Sequence, residues 1–161
     1  MGFDLYGMNP IMNKPKPDIL IKHKWDELPQ EKQKEYWDAE NEDTLNNPGQ
    51  YFRANIHWWF PLWEFVSTMC SDILTEKDIK SCEYNDGYEI TEDKAIKIAE
   101  RLETLNNSGE IKQYENALDA QPIGARNKDG DMEWYLSRTF SVNVVMSFAK
   151  FCKESGGFVV C

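Results

Sequence analysis

Long apolar runs, paired cysteines and clustered basic residues are what this 161-residue chain lacks. No stretch approaches the roughly 20 consecutive apolar residues of a membrane span, so no bilayer-crossing helix is expected. Cys70, Cys82, Cys152 and Cys161 stand far apart without a Cys-x-x-Cys pair, and His23 and His57 are the only histidines. Structural zinc sites bring their ligands in close pairs. Neither a metal nor a cofactor is therefore expected, and free thiols in a reducing cytoplasm are the simplest reading. Lys and Arg number 18 against 28 Asp and Glu, for a net charge of −10 and a pI of about 4.7. That balance argues against direct nucleic-acid binding and against an anionic membrane surface, since both need clustered cations. Met1 to Gly7 has neither the basic nor the apolar region of a signal peptide. Tyr6 stands where a myristoylation motif needs Ser or Thr, and Cys161 fits no prenylation box. The expected location is the cytoplasm.

What is present is enough for a core. Hydrophobic residues make up 41 % of the chain and aromatics 13 %, with six Trp, and a domain of about 150 residues buries roughly two-thirds of its unfolded surface. One domain over residues 1–161 is expected, with 10–50 as an acidic, partly helical insertion. Phe3 and Leu5 alternate with polar neighbours as a strand does. Pro15 and Pro17 read as an extended linker, and Asp18 to Ile21 as a short strand or extended anchor. Pro29 suits the first position of a helix through Glu40, and Asn46 to Gly49 forms a turn.

Further on, Pro61 reads as the opening of a core helix in which Leu62, Val66, Met69 and Ile73 recur at helical steps. Thr91 is a candidate cap for a helix burying Ala95, Ile98, Ala99, Leu102 and Leu105, and Glu110 to Leu118 continues as a shorter one. Ala120 to Gly130 reads as a loop and Met132 to Phe140 as a strand. Ser141 caps a last helix that Gly156 and Gly157 stop, and Phe158 to Cys161 closes the chain as a strand. The fold class that follows is α+β: about three helices on a small, mostly antiparallel sheet that includes both chain termini.

Two features stand out. Asp26, Glu27, Glu31, Glu35, Asp38, Glu40, Glu42 and Asp43 share their stretch with only Lys32 and Lys34, a net −6, while the stretch Glu83 to Asp93 holds Glu83, Asp86, Glu89, Glu92 and Asp93 with no base inside it. The bland reading is a solvated face that keeps the protein soluble. The sharper one is a surface complementary to the basic groove of a nucleic-acid enzyme. The second feature is the run Ile56 to Trp63. Adjacent tryptophans cannot all enter one core from one helix face, so Arg53, Asn55, His57, Trp58, Trp59 and Trp63 are candidates for a pocket stacking a planar ligand. Core packing with a protein interface accounts for the same run.

Catalytic motifs are missing. There is no Gly-x-Ser-x-Gly and no phosphate-cradling glycine loop. On one continuous helix Cys70 and His57 would fall on nearly opposite faces. Aligning Gly130 with the sixth position of a calcium loop puts Ala125 and Leu136 where carboxylates are required. Trp25, Leu28, Lys32 and Tyr36 share the spacing of an HMG-box helix, without that domain's basic surroundings.

Four segments together resemble a family of small, mostly uncharacterised proteins of phages and bacteria: Met1 to Gly7, Tyr51-Phe52-Arg53-Ala54-Asn55 with Trp58-Trp59-Phe60-Pro61-Leu62-Trp63, Phe140 to Val144, and Gly156 to Cys161. The resemblance covers about half the chain. Cys-x-x-Cys pairs common in that family before the last helix are absent between Ala120 and Arg138, and the acidic segment is an insertion relative to shorter members. The mobile-element setting implies an anti-defence protein, with anti-CRISPR activity as one form. It is expected to be no enzyme, to bind a basic host protein such as a nuclease, and to work in the host cytoplasm. The alternative is a small-ligand or nucleotide-binding module built on the Trp-rich segment.

Overall fold

The computed structural model describes residues 2–120 and 139–161. Four strands form one antiparallel sheet: β1 (Gly2–Gly7), β2 (Tyr51–Asn55), β3 (Tyr88–Ile90) and β4 (Phe158–Val160), in the order β2-β1-β4-β3. Leu5 pairs with Phe52 on one side and with Val160 on the other, so the first and last strands are neighbours. Phe3 and Leu5 are buried as their alternation requires. Gly156 and Gly157 adopt φ of +64° and +87°, the left-handed conformation that lets the chain leave its last helix and re-enter the sheet.

Seven α-helices occur among the described residues, where the sequence suggested about three: α1 (Asp18–Lys22), α2 (Gln30–Asn46), α3 (Ile56–Met69), α4 (Glu76–Ser81), α5 (Glu92–Asn107), α6 (Glu110–Asp119) and α7 (Val142–Glu154). The mixed α+β class stands. Helices α2, α3, α5, α6 and α7 each lie where the local pattern places a helix, so the additions are the short α1 and α4, and the count of about three leaves out α2 and α6. Asp18 to Ile21 is helical rather than extended, with the Lys22 ammonium bonded to Asp18 one turn earlier at 2.6 Å. Residues 25–27 make a 3-10 turn before α2.

Helix α3 starts five residues before Pro61. Asn55 caps it, its side-chain oxygen accepting from the amides of His57 and Trp58. Proline inside a helix leaves the carbonyl four residues earlier without its donor. Here that carbonyl belongs to His57, and it accepts a bond from the Thr139 hydroxyl. The helix ends at Met69, so Ile73 and Leu74 lie in the following turn.

Ser141 caps α7 as expected, accepting from the Val144 amide at 3.3 Å. Thr91 occupies the cap position of α5 but its hydroxyl makes no capping bond. Most of the expected strand Met132 to Phe140, and the loop before it, lie outside the described residues.

The core lies between the sheet and α3, α5 and α7. Trp59, Trp63, Phe65, Phe148, Phe151, Phe158, Ile98 and Leu102 are all essentially closed to solvent. No helix among the described residues is long and apolar enough to cross a membrane.

Candidate interaction surface and Trp-lined cleft

Residues 8–50 are tied to the end of α7 and the turn into β4 through polar contacts. The Met8, Asn9 and Ile11 amides donate to the carbonyls of Gly157, Ser155 and Glu154. Asn47, buried at 1 % exposure, exchanges bonds with the backbone of Lys14, and its amide also donates to Asp43 at 2.8 Å. Asp43 accepts from Gln50 as well, at 3.2 Å. It is the only buried residue of α2, so this carboxylate anchors the helix and is absent from the outer surface.

The other seven acids of the segment are exposed. Glu31, Glu35, Asp38 and Glu42 recur at steps of four, three and four residues, which aligns them along one face of α2. Glu40 falls on the opposite side, where it lines a cleft of about 450 Å³ with Tyr36, Asp43 and Lys16. Asp26 and Glu27 lie in the 3-10 turn. Two of the chain's own lysines reach this set: Lys34 lies 3.1 Å from Asp38, and Lys24 lies 3.9 Å from Glu27. Glu31, Glu35 and Glu42 have no ion-pair partner among the described residues. The second acidic stretch is exposed too, but it is divided between a turn, β3 and the start of α5, and Asp93 is paired with Lys97 at 2.8 Å.

The aromatic run divides sharply. Trp59 and Trp63 stack at 5.3 Å and 11° inside the core, and their indole N–H groups donate to the carbonyls of Cys82 and Ile79 at 2.9 and 3.0 Å. Trp59 is closed to solvent, whereas Trp63, though only 2 % exposed, lines a cleft of about 450 Å³ with Phe60, Pro61 and Glu64. Trp58 is half-buried and lines an open cleft of about 540 Å³ with Phe52, Arg53, Asn55, Asn143, Val144 and Ser147. Arg53 is held at 3.5 Å from Asp4, which also accepts the Tyr51 hydroxyl; burial and that carboxylate push the Tyr51 phenol up to about 12. His57 is exposed and is not among the residues lining this cleft.

The three buried thiols show the opposite of activation. Cys70, Cys82 and Cys152 are buried, and burial pushes Cys70 up to about 11, Cys82 up to about 12 and Cys152 well above the usual thiol range. A Cys70 nucleophile served by exposed His57 does not fit this placement. Among the described residues no three of His, Cys, Asp and Glu converge to hold a metal ion.

Asp78, absent from the candidates above, is the most heavily engaged carboxylate among the described residues. It forms a capping box with Thr75 and accepts from the Tyr88 hydroxyl at 3.0 Å and the Lys94 ammonium at 2.6 Å. Burial pushes its carboxyl up, but the bonds from Lys94, Thr75 and Tyr88 outweigh that and hold it at about 2. Thr75-x-x-Asp78 is itself a capping signal. The partners Tyr88 and Lys94 come from distant elements and carried no local sign.

No family model, curated protein or solved structure matches this chain.

Proposed function

We propose that this protein is a non-enzymatic inhibitor that occupies the cationic groove of a host nucleic-acid-handling protein through the outer face of α2. The carrying observation is the alignment of Glu31, Glu35, Asp38 and Glu42 on one exposed helix face, three of them without an ion-pair partner among the described residues. Such a row of carboxylates presents regularly spaced negative charge to a groove that otherwise holds phosphates, and complementary charge speeds encounter and fixes register. The resemblance to phage and bacterial proteins supports an anti-defence role, with a CRISPR nuclease among the partners of that chemistry. The test is capture of the partner from a bacterial host lysate by immobilised protein, with duplex DNA as competitor. The expected result is a basic protein released by DNA and by raised salt, and lost when Glu31, Glu35 and Asp38 are changed to Lys. Capture that survives those three changes would overturn the proposal.

A second reading rests on the cleft that brings Arg53, Asn55 and Trp58 together. An indole beside a guanidinium and a side-chain amide suits a planar anionic ligand such as a nucleotide. A thermal shift of several degrees with a nucleotide, lost in Trp58→Ala, supports it, and no shift across a nucleotide panel would remove it.

A further inference from the structure

The side of α2 turned away from its acidic row carries a different set of groups. Tyr36, Glu40 and Asp43 recur at steps of four and three residues, so they share one face of the helix. The cleft they line is shared with Tyr6 of β1 and Tyr51 of β2. These two are register partners, with rings 5.3 Å apart, on the sheet face opposite buried Leu5. Lys16, just before α1, lines the same cleft. Its volume of about 450 Å³ falls in the roughly 300–1,000 Å³ range of small-molecule sites.

The charges in this cleft are not spent on one another. Asp43 is 8 % exposed, and among the described residues its carboxylate accepts only from two neutral amides, those of Asn47 at 2.8 Å and Gln50 at 3.2 Å. A carboxylate withdrawn from water and met by neutral donors alone keeps acceptor capacity that a cation satisfies best. The Glu40 carboxylate makes no hydrogen bond or ion pair among the described residues, and neither does the Lys16 ammonium. The cleft therefore offers two acceptors for a positive group and one donor for a negative group, beside three phenol rings. A plain amine would meet Lys16 as a like charge, and a plain carboxylate would meet Glu40 and Asp43. A molecule carrying both charges suits all three, and an aromatic body suits the rings.

We propose that the cleft between α2 and the sheet binds a small zwitterion of the aromatic amino-acid type, its ammonium received by Asp43 and Glu40 and its carboxylate by Lys16. This goes beyond the reading of α2 as an acidic interface, which uses the opposite side of the helix.

Isothermal titration of the full chain with three probes of one skeleton tests this. Phenylalanine carries both charges, phenethylamine only the ammonium, and 3-phenylpropionate only the carboxylate. Phenylalanine is expected to bind about tenfold tighter than either relative. Glu40→Gln and Lys16→Gln alter exposed side chains, so both variants should keep the fold. Each should weaken phenylalanine about fivefold. Glu40→Gln should also weaken phenethylamine and spare phenylpropionate, whereas Lys16→Gln should weaken phenylpropionate and leave phenethylamine no weaker. The proposal is overturned by absence of saturable binding at millimolar phenylalanine, by either relative binding as tightly as phenylalanine, or by affinities indifferent to both substitutions. None of these outcomes bears on the acidic row, which its own Lys variants test.

Discussion

The same residue type behaves in opposite ways in two parts of this molecule. Trp59 and Trp63 are 0 % and 2 % exposed, stacked on each other and bonded to backbone carbonyls of a distant turn and helix. Trp25 and Trp37 touch each other and face water. The regions around them differ accordingly. The core closes on apolar side chains, whereas α2 buries one residue, a carboxylate, and is fixed by amide bonds through Asn47, Gln50 and Asn13. An element held by a few polar anchors keeps its outer face available to a partner.

The comparison is broken most severely at Trp59. Trp59→Ala should cost about 3–5 kcal/mol in urea unfolding, since it opens a cavity and strands the Cys82 carbonyl. Trp37→Ala should cost under about 1 kcal/mol in the same measurement. Equal losses would mean that the exposed pair is structural.

Asp78 gives the next largest effect, and a pH signature. Its carboxyl is held at about 2 in the fold, below the ordinary 3.8, so the folded state releases this proton more readily than the unfolded chain does. The stabilisation is fully present above about pH 4 and is lost as pH falls toward 2; it amounts to about 2 kcal/mol. Urea midpoints measured between pH 7 and pH 2.5 should show this acid limb, and Asp78→Asn should flatten it.

Asn47→Ala sharpens the contrast from the other side. It removes the side-chain bonds to Lys14 and Asp43, so α2 should open locally at a cost of about 1–3 kcal/mol. Hydrogen exchange should rise in α2 while amides of α5 and α7 stay protected.

Much of this was legible in the sequence, for reasons that differ by element. The alternation of Phe3 and Leu5, the apolar face of α5, the Ser141 cap and the paired glycines are local signals, and each corresponds to what the structure holds. Asp18 to Ile21 reads as extended because Pro17 and two β-branched isoleucines favour extension, while the Lys22–Asp18 contact that accompanies the helix is a weaker cue. Pro61 reads as a helix start because nothing near it in sequence shows that the acceptor left by its missing N–H is satisfied by Thr139, far along the chain. The burial of Trp59 and Trp63 depended on carbonyls at Cys82 and Ile79, which no window around residue 60 contains. The acidic segment is visible as composition, and a helix through Glu40 already aligns Glu31, Glu35 and Asp38; only Glu42 joins the row because the helix runs on to Asn46.

The central claim is that position, and not net charge alone, makes α2 a binding face. Two triple variants with the same final charge test it: Glu31, Glu35 and Asp38→Lys on α2, and Glu83, Glu89 and Glu92→Lys on the second acidic stretch. Both should unfold within about 1 kcal/mol of the unaltered chain. Titration with deca-lysine at low salt should then show binding abolished in the α2 variant and largely retained in the other. Equal weakening in the two would show that the carboxylates of α2 act only through the total charge.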